Sequence, residues 1–397
     1  MTRSIVDIHI LQNVPPSNMN RDDTGTPKSA YYGGERRARV SSQAWKRATR
    51  NRFQQLLPPE ELGVRTKRVV EALVERITER DATVADNAVK LAEEVLSVAT
   101  GSTLDVPKRK AKDDGSGGAL PEAKYLMFLS RRQLDALADI AVAESDGGDP
   151  ATLKAELKDK TKKARARAAV DTRHSVDIAL FGRMVADTAG LNVDAAAQVA
   201  HALSVHRSEL ESDYYTAVDD LSGDSDSGAG MIGTVDFNSA TLYRYAAVDV
   251  DELHRNLGAG LDPEQPPSTP AAKALTAFLE AFITSLPTGK INTFAHHTLP
   301  SVVVVKLRDR WPLNFVGAFE TPVPKSASGG FLRGSCDQLA AHVAEMERAY
   351  GLDSDPTWVF RVGEETKGLA GLGSALTLRT LLEQVGSTVR ERLESGA

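Results

Sequence analysis

The chain has 397 residues, of which 41% are hydrophobic and 26% charged, and its formal net charge is −6 at pH 7. This composition is typical of a globular protein with a large core, and the acidic excess argues against a protein that attracts polyanions over its whole surface. No apolar run approaches the roughly 20 residues that cross a bilayer and the N-terminus lacks a signal-peptide hydrophobic segment, so we expect a cytoplasmic protein without membrane contact.

The N-terminal residues predict a strand followed by a long loop. Apolar residues alternate over residues 4–14, and Val6, Ile8 and Ile10 share one face. Residues 15–34 are rich in Pro, Asn, Asp, Thr and Gly, which predicts an ordered loop. Loops of this length inside a domain are uncommon and usually functional.

A strongly basic segment overlaps the end of this loop. Residues 28–52 contain eight Lys or Arg residues and a single acid, Glu35. Ser41 and Ser42 can cap a helix that runs to about Leu57, with the cations on its solvent face. The basic residues are therefore predicted to form one solvent-facing patch that continues from the loop before the helix. Positive charge concentrated on an acidic chain predicts a site for a phosphate backbone, although a merely solvated helix face is the alternative from these residues alone.

Residues 58–170 are predicted to form a mainly helical insertion in a sheet domain. Ser130 and Gln133 have the spacing of a capping box, and Asp149 is the predicted N-cap of a later helix. That helix is expected to carry four cations on one face: Lys154, Lys158, Lys162 and Arg165. Because nearby acids can pair with lysines, a plain charged surface is an equal alternative.

Strand-like segments return after the insertion, at 176–184 and 234–248, with a predicted helix at 194–204 between them. Residues 213–233 have strand propensity around a Gly-, Ser- and Asp-rich centre, which predicts a projecting hairpin. The remaining predicted elements are strands at 301–307, 315–319 and 358–362 and helices at 335–350 and 374–393. The pattern is that of an α+β protein.

A series of motifs gives the chain a family resemblance. The motifs are NRDD (20–23), YGG (32–34), RRARVSSQAWKRATR (36–50), VDIALFGRM (176–184), YTAVDDL (215–221), SGAGMIG (227–233), FNSATLYRYA (237–246), GKINTFA (289–295) and FETPV (319–323). With these motifs the chain resembles the CasC family, the crRNA-binding backbone subunit of the type I-E CRISPR Cascade complex. Several motifs are long and specific, and they extend into the last third of the chain.

The resemblance implies a right-hand-like architecture. Its parts are a modified RRM (ferredoxin-like) palm, a helical fingers insertion and a projecting thumb hairpin. The implied boundaries are palm 1–57, fingers 58–170, palm 171–204, thumb 205–233 and palm 234–397.

The resemblance also implies a role in antiviral defence. Family members oligomerise in a helical filament along the crRNA, grip its phosphate backbone, kink it with the thumb and present guide segments for pairing with target DNA. The implied partners are crRNA, target DNA, further copies of the chain and the other Cascade subunits: the large subunit, the small subunit, the end-capping backbone-like subunit and the crRNA-processing endonuclease. Because a guide can have any sequence, contacts are expected at phosphates and 2′-hydroxyls and not at base edges.

Candidate site residues follow from the motif positions. The expected guide-backbone contacts are Arg21, Lys28, Ser41, Gln43, Lys46 and Arg47. Tyr214 and Tyr215 are expected to stack on the displaced nucleotide, with packing inside the hairpin as the alternative. Met184 is a candidate apolar wedge or a residue packed within the palm. The candidate contacts to target DNA are Lys154, Lys158, Lys162 and Arg165.

No catalytic residue, metal ligand or cofactor is predicted. The alternative to a non-catalytic scaffold is a metal-dependent endoribonuclease that uses Asp22 or Asp23, because related backbone subunits in other CRISPR types cleave RNA with a loop aspartate. We expect Asp23 instead to cap its loop or to pair with Arg21. The two histidines at 296–297 lack a third ligand at metal spacing and are interpreted as structural. The single cysteine, Cys336, excludes an internal disulfide and a cysteine-based zinc site.

Overall fold

A computed structural model describes residues 3–105, 120–185, 189–217, 231–258, 265–327, 329–352 and 355–396. The strands are β1 (Ile5–Ser17), β2 (Ser29–Tyr32), β3 (Glu35–Val40), β4 (Gly63–Thr66), β5 (Leu104–Asp105), β6 (Glu122–Ala123), β7 (Met127–Ser130), β8 (Ala197–Val199), β9 (Ala202–Ser204), β10 (Glu211–Ala217), β11 (Met231–Asp249), β12 (Val302–Arg308), β13 (Thr357–Arg361) and β14 (Ala375–Leu376). The α-helices are α1 (Ser42–Leu56), α2 (Val69–Arg80), α3 (Ala88–Thr100), α4 (Arg131–Ala143), α5 (Pro150–Glu156), α6 (Lys160–Asp171), α7 (Val176–Phe181), α8 (Val250–Leu257), α9 (Thr269–Thr284), α10 (Ile291–Phe294), α11 (Leu332–Tyr350) and α12 (Leu378–Ser395). Short 3₁₀ segments lie at Pro59–Glu61, Ala82–Asn87, Ala189–Leu191, Phe315–Phe319 and Glu364–Leu372. The predicted α+β class is confirmed.

The chain divides into two compact units. The first consists of Met1–Phe53, Gln198–Asp249 and Leu275–Ala397, and the second of Gln54–Ala197 and Val250–Ala274. Residues 58–170, the predicted helical insertion, fall within the second unit. Among the helices of the described ranges, none is long and apolar enough to cross a membrane.

A large, mostly antiparallel sheet forms the centre of the first unit. The hydrogen-bonded strand order is β14-β13-β12-β1-β11-β9-β3-β2, and β8 and β10 also pair with β11. Strand β1 is antiparallel to both neighbours, with Ile8 opposite Ala246 on β11 and opposite Val305 on β12. The predicted first strand and the strands predicted at 301–307 and 358–362 are confirmed.

One face of this sheet packs against α11. Ile5 and Leu11 of β1 lie in one apolar cluster with Phe315 and with Leu339 and Val343 of α11. Because side chains alternate along a strand, odd-numbered residues of β1 point into this core.

A buried ionic network lies on the same face. The Asp7 carboxylate accepts hydrogen bonds from Arg308 Nε at 2.5 Å, from the Tyr245 hydroxyl at 2.7 Å and from a backbone N–H at 3.0 Å. Arg308 also donates to Asp355 at 2.8 Å and to Glu347 at 3.2 Å. Burial raises the pKa of Asp7, and Arg308 and the hydrogen bonds oppose that rise. Buried charges are tolerated here because they are paired and hydrogen-bonded.

The opposite face of the sheet holds α1 through a buried arginine. The Arg244 guanidinium lies 3.8 Å from the ring centroid of Trp45 and 4.6 Å from that of Phe282. It also donates to Gln12 Oε1 at 2.6 Å and to the Phe282 carbonyl. Trp45 is fully buried on α1, so this stack fixes the helix on the sheet.

The second unit has a helical core of its own, built mainly from α2 to α6. Ser130 caps α4 and forms the predicted capping box with Gln133, and Asp149 caps α5 as predicted. The Gln133 amide also contacts His174 Nδ1 at 3.1 Å. These capping signals are short-range, which is why they could be located without knowledge of the tertiary structure.

Several predicted elements differ from the structure. Residues 15–34 are not one loop, because β1 continues to Ser17 and β2 forms a hairpin with β3. Residues 176–184 contain helix α7 and not a strand, while the helix predicted at 194–204 is replaced by β8 and β9. Residues 315–319 form a 3₁₀ turn instead of a strand. Short apolar runs fit a buried strand and a buried helix equally well, and tertiary packing decided between them.

The helix predicted after Asp149 is interrupted. Helix α5 ends at Glu156, and the Asp159 carboxylate then caps α6 by accepting from the N–H groups of Thr161 and Lys162. The four cations Lys154, Lys158, Lys162 and Arg165 therefore do not share one helix face, and that prediction is wrong. The capping residue Asp159 was the overlooked signal, since Asp is a preferred N-cap.

We expect Arg244→Lys to lower the free energy of unfolding by about 2 kcal/mol or more, measured by urea denaturation. A lysine keeps the charge, but its ammonium has no second donor group with which to stay close to both rings and also bond both oxygens. The matched control is Arg310→Lys, because the exposed Arg310 lies 5.9 Å from the Trp311 ring centroid. That exposed substitution should change stability by no more than about 0.5 kcal/mol, and equal losses in the two variants would contradict the buried stack.

We also expect His174→Asn to reduce the loss of stability at acid pH. Burial and then Arg183 lower the pKa of His174 from 6.5 to about 4, so this histidine stabilises the fold above pH 6.5 and its contribution is lost as the pH falls toward 4. Asparagine keeps an acceptor for Gln133 but cannot be protonated. Between pH 7 and pH 5 the wild type should lose about 1–2 kcal/mol more than the variant in urea denaturation, and parallel pH profiles would contradict this.

Candidate nucleic-acid interface

Residues 18–28 form a compact loop anchored to the first unit's sheet. Asn18 is fully buried, and its Nδ2 donates to the carbonyls of Gly25 and Asp236, both at 2.8 Å. The Thr26 hydroxyl donates to Asp236 Oδ2 at 2.9 Å. The loop is therefore held at both ends by β11.

This loop lies beside the N-terminus of α1. Arg21 forms an isolated β-bridge with Pro27, and Lys28 N–H donates to the Asn20 carbonyl at 2.9 Å. The Asn20 side-chain oxygen accepts from Ser41 N–H at 2.8 Å. One asparagine thus joins two of the predicted contact residues, Lys28 and Ser41.

The first turns of α1 carry the other predicted contacts. Ser41 Oγ accepts from Ala44 N–H at 3.3 Å, so Ser41 caps the helix as expected. Gln43 and Arg47 are exposed and Lys46 is half-buried. Burial lowers the pKa of Lys46. The start of a helix favours anions, and here it is combined with an ammonium, a guanidinium and an amide.

One cation of the basic segment is structural. Arg37 is fully buried and donates to the Ser204 carbonyl at 3.0 Å and to the Phe319 carbonyl at 2.9 Å. The prediction that all the basic residues form one solvent-facing patch is wrong for Arg37. It instead ties β3 to the start of the FETPV motif.

The loop aspartates have different roles from those expected. Asp22, not Asp23, organises the loop, since its carboxylate accepts from the Thr24 hydroxyl at 2.7 Å and from the N–H groups of Thr24 and Thr26 at 3.0 and 3.1 Å. The Thr24 hydroxyl, followed by these N–H groups, lowers the pKa of Asp22. The expectation that Asp23 caps the loop or pairs with Arg21 is wrong, since neither contact is present among the described residues.

No metal-binding cluster is visible in the part of the chain that the structure describes. No three His, Cys, Asp or Glu side chains in those residues are placed to hold a metal ion. His296 is fully buried, with Nε2 3.0 Å from the Pro287 carbonyl, in agreement with its structural interpretation.

The predicted hairpin at 213–233 is formed by β10 and β11, and its tip, residues 218–230, lies outside the described ranges. Tyr214 and Tyr215 are 60% and 43% exposed, so neither belongs to a core. A side chain at Gly233 would lie 2.5 Å from the Tyr215 ring, which shows that this ring lies across the opposite strand. Tyr214 points to the other face of the hairpin.

The base of the hairpin is joined to the loop. The Asp236 carboxylate accepts from the Ser212 hydroxyl at 2.7 Å as well as from Thr26, and these two hydroxyls lower its pKa. Gly289 of the GKINTFA motif packs so closely that a Cβ there would lie 2.3 Å from the Met19 carbonyl oxygen. Motifs far apart in the sequence therefore meet at this one place.

Comparison with known proteins identifies the family of the chain. The chain matches the family model described as CT1975-like protein over residues 6–384. The chain belongs to the CT1975-like family. Its resemblance to the CasC family of Cascade backbone subunits, inferred from the motifs, is confirmed at that level.

Two solved structures illustrate the similarity. A chain of a "CRISPR RNA-guided surveillance complex, pre-nicking" is 33% identical with a TM-score of 0.79, over 97% of this chain and 100% of the other. A chain of a "CRISPR RNA-guided surveillance complex" is 32% identical with a TM-score of 0.68, over 97% and 99% of the two chains. No curated protein sequence matches the chain.

The other predicted site residues belong to the second unit of this CT1975-like protein. Met184 is 85% exposed and follows Arg183, which is buried and donates to the Leu191 carbonyl at 2.7 Å and to the Val170 carbonyl at 2.9 Å. The alternative expectation is that the Met184 side chain packs within the palm. Within this unit the side chain is exposed, so that alternative is wrong. The VDIALFGRM motif thus combines a structural arginine with an exposed methionine.

Most of the predicted target-DNA cations are engaged in ion pairs. Lys154 pairs with Glu94 at 2.8 Å, and Lys162 and Arg165 pair with Glu144 at 2.6 and 3.3 Å. Four other positions, Lys158, Lys160, Lys163 and Arg167, are exposed and form no ion pair within the described ranges. Surface pairs contribute little to stability, so this pairing does not by itself exclude a role in binding.

Sequence reasoning missed the residues that organise the site. Asn18, Asn20 and Asp236 place the cations, but they do not themselves carry charge toward a polyanion. The sequence signal that could have found two of them is their position in or beside a family motif. Asn20 opens the NRDD motif, and Asp236 directly precedes FNSATLYRYA.

Proposed function

We propose that this chain is the non-catalytic crRNA-binding backbone subunit of a type I-E CRISPR Cascade surveillance complex. It oligomerises along the guide RNA, grips the phosphate backbone, kinks the guide and presents guide segments for pairing with target DNA in antiviral defence. The first unit supplies the RRM-like palm and the thumb hairpin, and the second supplies the fingers.

The observation that carries this proposal is the continuous surface of the 18–28 loop and the start of α1. Arg21, Lys28, Lys46 and Arg47 provide positive charge there, while Ser41 and Gln43 provide hydrogen-bonding groups. Such groups recognise phosphates and 2′-hydroxyls without reading bases. A carrier of arbitrary guide sequences requires this property.

The hairpin supports the kinking role. Its exposed Tyr214 and Tyr215 offer two aromatic rings on opposite faces, joined to the loop through Ser212 and Asp236. Stacking on such rings contributes about 1–3 kcal/mol per base and tolerates any base. Met184 of the second unit is exposed enough to act as an additional apolar wedge.

The cations of α5 and α6 are proposed to contact target DNA. Lys158 is exposed, whereas Lys154, Lys162 and Arg165 must exchange glutamate partners for phosphates. The unpaired Lys160, Lys163 and Arg167 make the surface more basic than the predicted set alone. The partners are then crRNA, target DNA, further copies of the chain and the remaining Cascade subunits.

The runner-up function is a metal-dependent endoribonuclease that uses Asp22 or Asp23. Asp22 is committed to three hydrogen bonds within its own loop. No cluster of metal ligands accompanies it within the described residues. Both observations favour the scaffold.

We expect Lys46→Ala combined with Arg47→Ala to weaken RNA retention equally for unrelated guide sequences. Each lost phosphate contact should lower the salt dependence of log K by about 0.7, so the double variant should lose up to about 1.4. The measurement is anisotropy of labelled single-stranded RNAs over a KCl series. Arg379→Ala with Arg390→Ala, two exposed cations elsewhere in the first unit, is the matched control and should retain the wild-type slope. A loss that depends strongly on guide sequence would argue for base readout instead.

We expect the purified complex to leave labelled complementary RNA intact in the presence of Mg²⁺, and Asp22→Asn and Asp23→Asn to behave in the same way. The products would be resolved on a denaturing gel. Cleavage by the wild type that disappears in either variant would establish the nuclease and defeat the scaffold proposal.

A further inference from the structure

Arg39 is held in place by two side-chain hydrogen bonds. Its Nε donates to the Ser29 carbonyl at 3.3 Å, and its Nη1 lies 3.3 Å from His201 Nδ1. A guanidinium has five N–H donors, so three remain without a partner among the residues the structure describes. The side chain is only half-buried, and these donors are available to a ligand.

The position of Arg39 points to the guide surface. Arg39 and Lys28 line the same small cavity between the 18–28 loop and the sheet, together with Asn20. Arg39 N–H also donates to the Lys28 carbonyl at 2.9 Å. A phosphate that contacts Lys28 would therefore lie close to the Arg39 guanidinium. Arginine can bind a phosphate through two parallel N–H donors.

The hydrogen bonds of His201 define its protonation state. Nδ1 lies 3.3 Å from Arg39 Nη1 and receives the Ser42 N–H, also at 3.3 Å. Neither the guanidinium nor the backbone amide can accept a hydrogen bond, so Nδ1 must be unprotonated. The charged groups that face the ring are Arg39 and Lys28; together with desolvation, which has the larger effect, they lower the pKa of His201.

From this geometry we infer that Arg39 is a further contact to the guide backbone and that neutral His201 is its positioning residue. The imidazole ties the arginine to the first turn of α1, so that Arg39, Lys28 and the helix start approach one stretch of RNA together. The inference rests on the proposed guide-binding function and adds two residues to it.

The test uses the purified full-length chain and a fluorescein-labelled single-stranded RNA of mixed sequence. We expect Arg39→Ala to weaken binding about tenfold and to lower the salt dependence of log K by about 0.7. His201→Ala should weaken binding by a smaller factor. His201→Asn should restore near wild-type binding, because its side-chain oxygen can take the place of Nδ1 as acceptor.

Coupling between the two residues separates positioning from a general structural effect. In the Arg39→Ala background, His201→Ala should cause no further loss, because the group that it positions is already absent. An equal loss in both backgrounds, or His201→Asn binding as weakly as His201→Ala, would overturn the positioning role. Thermal unfolding of every variant identifies any that fail to fold, and Arg390→Ala serves as the control for loss of one exposed cation.

The outcome also separates this inference from the proposed function. If Arg39→Ala binds normally while the Lys46 and Arg47 double variant does not, the inference is wrong and the guide-binding proposal stands. If neither substitution affects RNA binding, the proposed function itself fails.

Discussion

The geometry of the candidate nucleic-acid interface depends on the contact between Arg244 and Trp45. This guanidinium lies 3.8 Å from the Trp45 ring centroid and 4.6 Å from that of Phe282, in a site from which solvent is excluded. A cation stacked on a ring is stabilised more when it is desolvated, and its hydrogen bonds to Gln12 and the Phe282 carbonyl reduce the cost of burying it. Because Trp45 lies one turn into α1, the stack determines where Ser41, Gln43 and Lys46 stand relative to β1 and β11. Without this stack, the helix that carries the cations would not be fixed on the sheet.

Arginine serves two separate purposes in this protein. Arg37, Arg183, Arg244 and Arg308 are buried and bonded to carbonyls or carboxylates, so they hold elements together. Arg21 and Arg47 are exposed on the candidate interface. A count of charged residues cannot distinguish the two groups. The acidic net charge therefore does not reveal that exposed basic residues are concentrated at one place on the surface.

The parts that sequence predicted well are those with short-range or strongly periodic signals. The β1 alternation, the Ser130 and Gln133 capping box and the all-valine start of β12 were recognisable from neighbouring residues alone. The errors at 176–184, 194–204 and 315–319 occurred where short apolar runs could pack either way. Family motifs located the loop and α1 of the candidate site. They could not show that Arg37 turns inward or that Asn18 and Asp236 support the loop, since both facts depend on contacts between distant segments.

The shared carboxylate of Asp236 has a mechanical consequence. It holds Thr26 of the loop with one oxygen and Ser212 of the hairpin with the other. The separation between the surface that would hold phosphates and the hairpin that would displace a base is therefore a property of the folded chain, not of its ligand. If identical subunits bind one RNA side by side, as proposed, they would therefore divide it into equal intervals whatever its sequence.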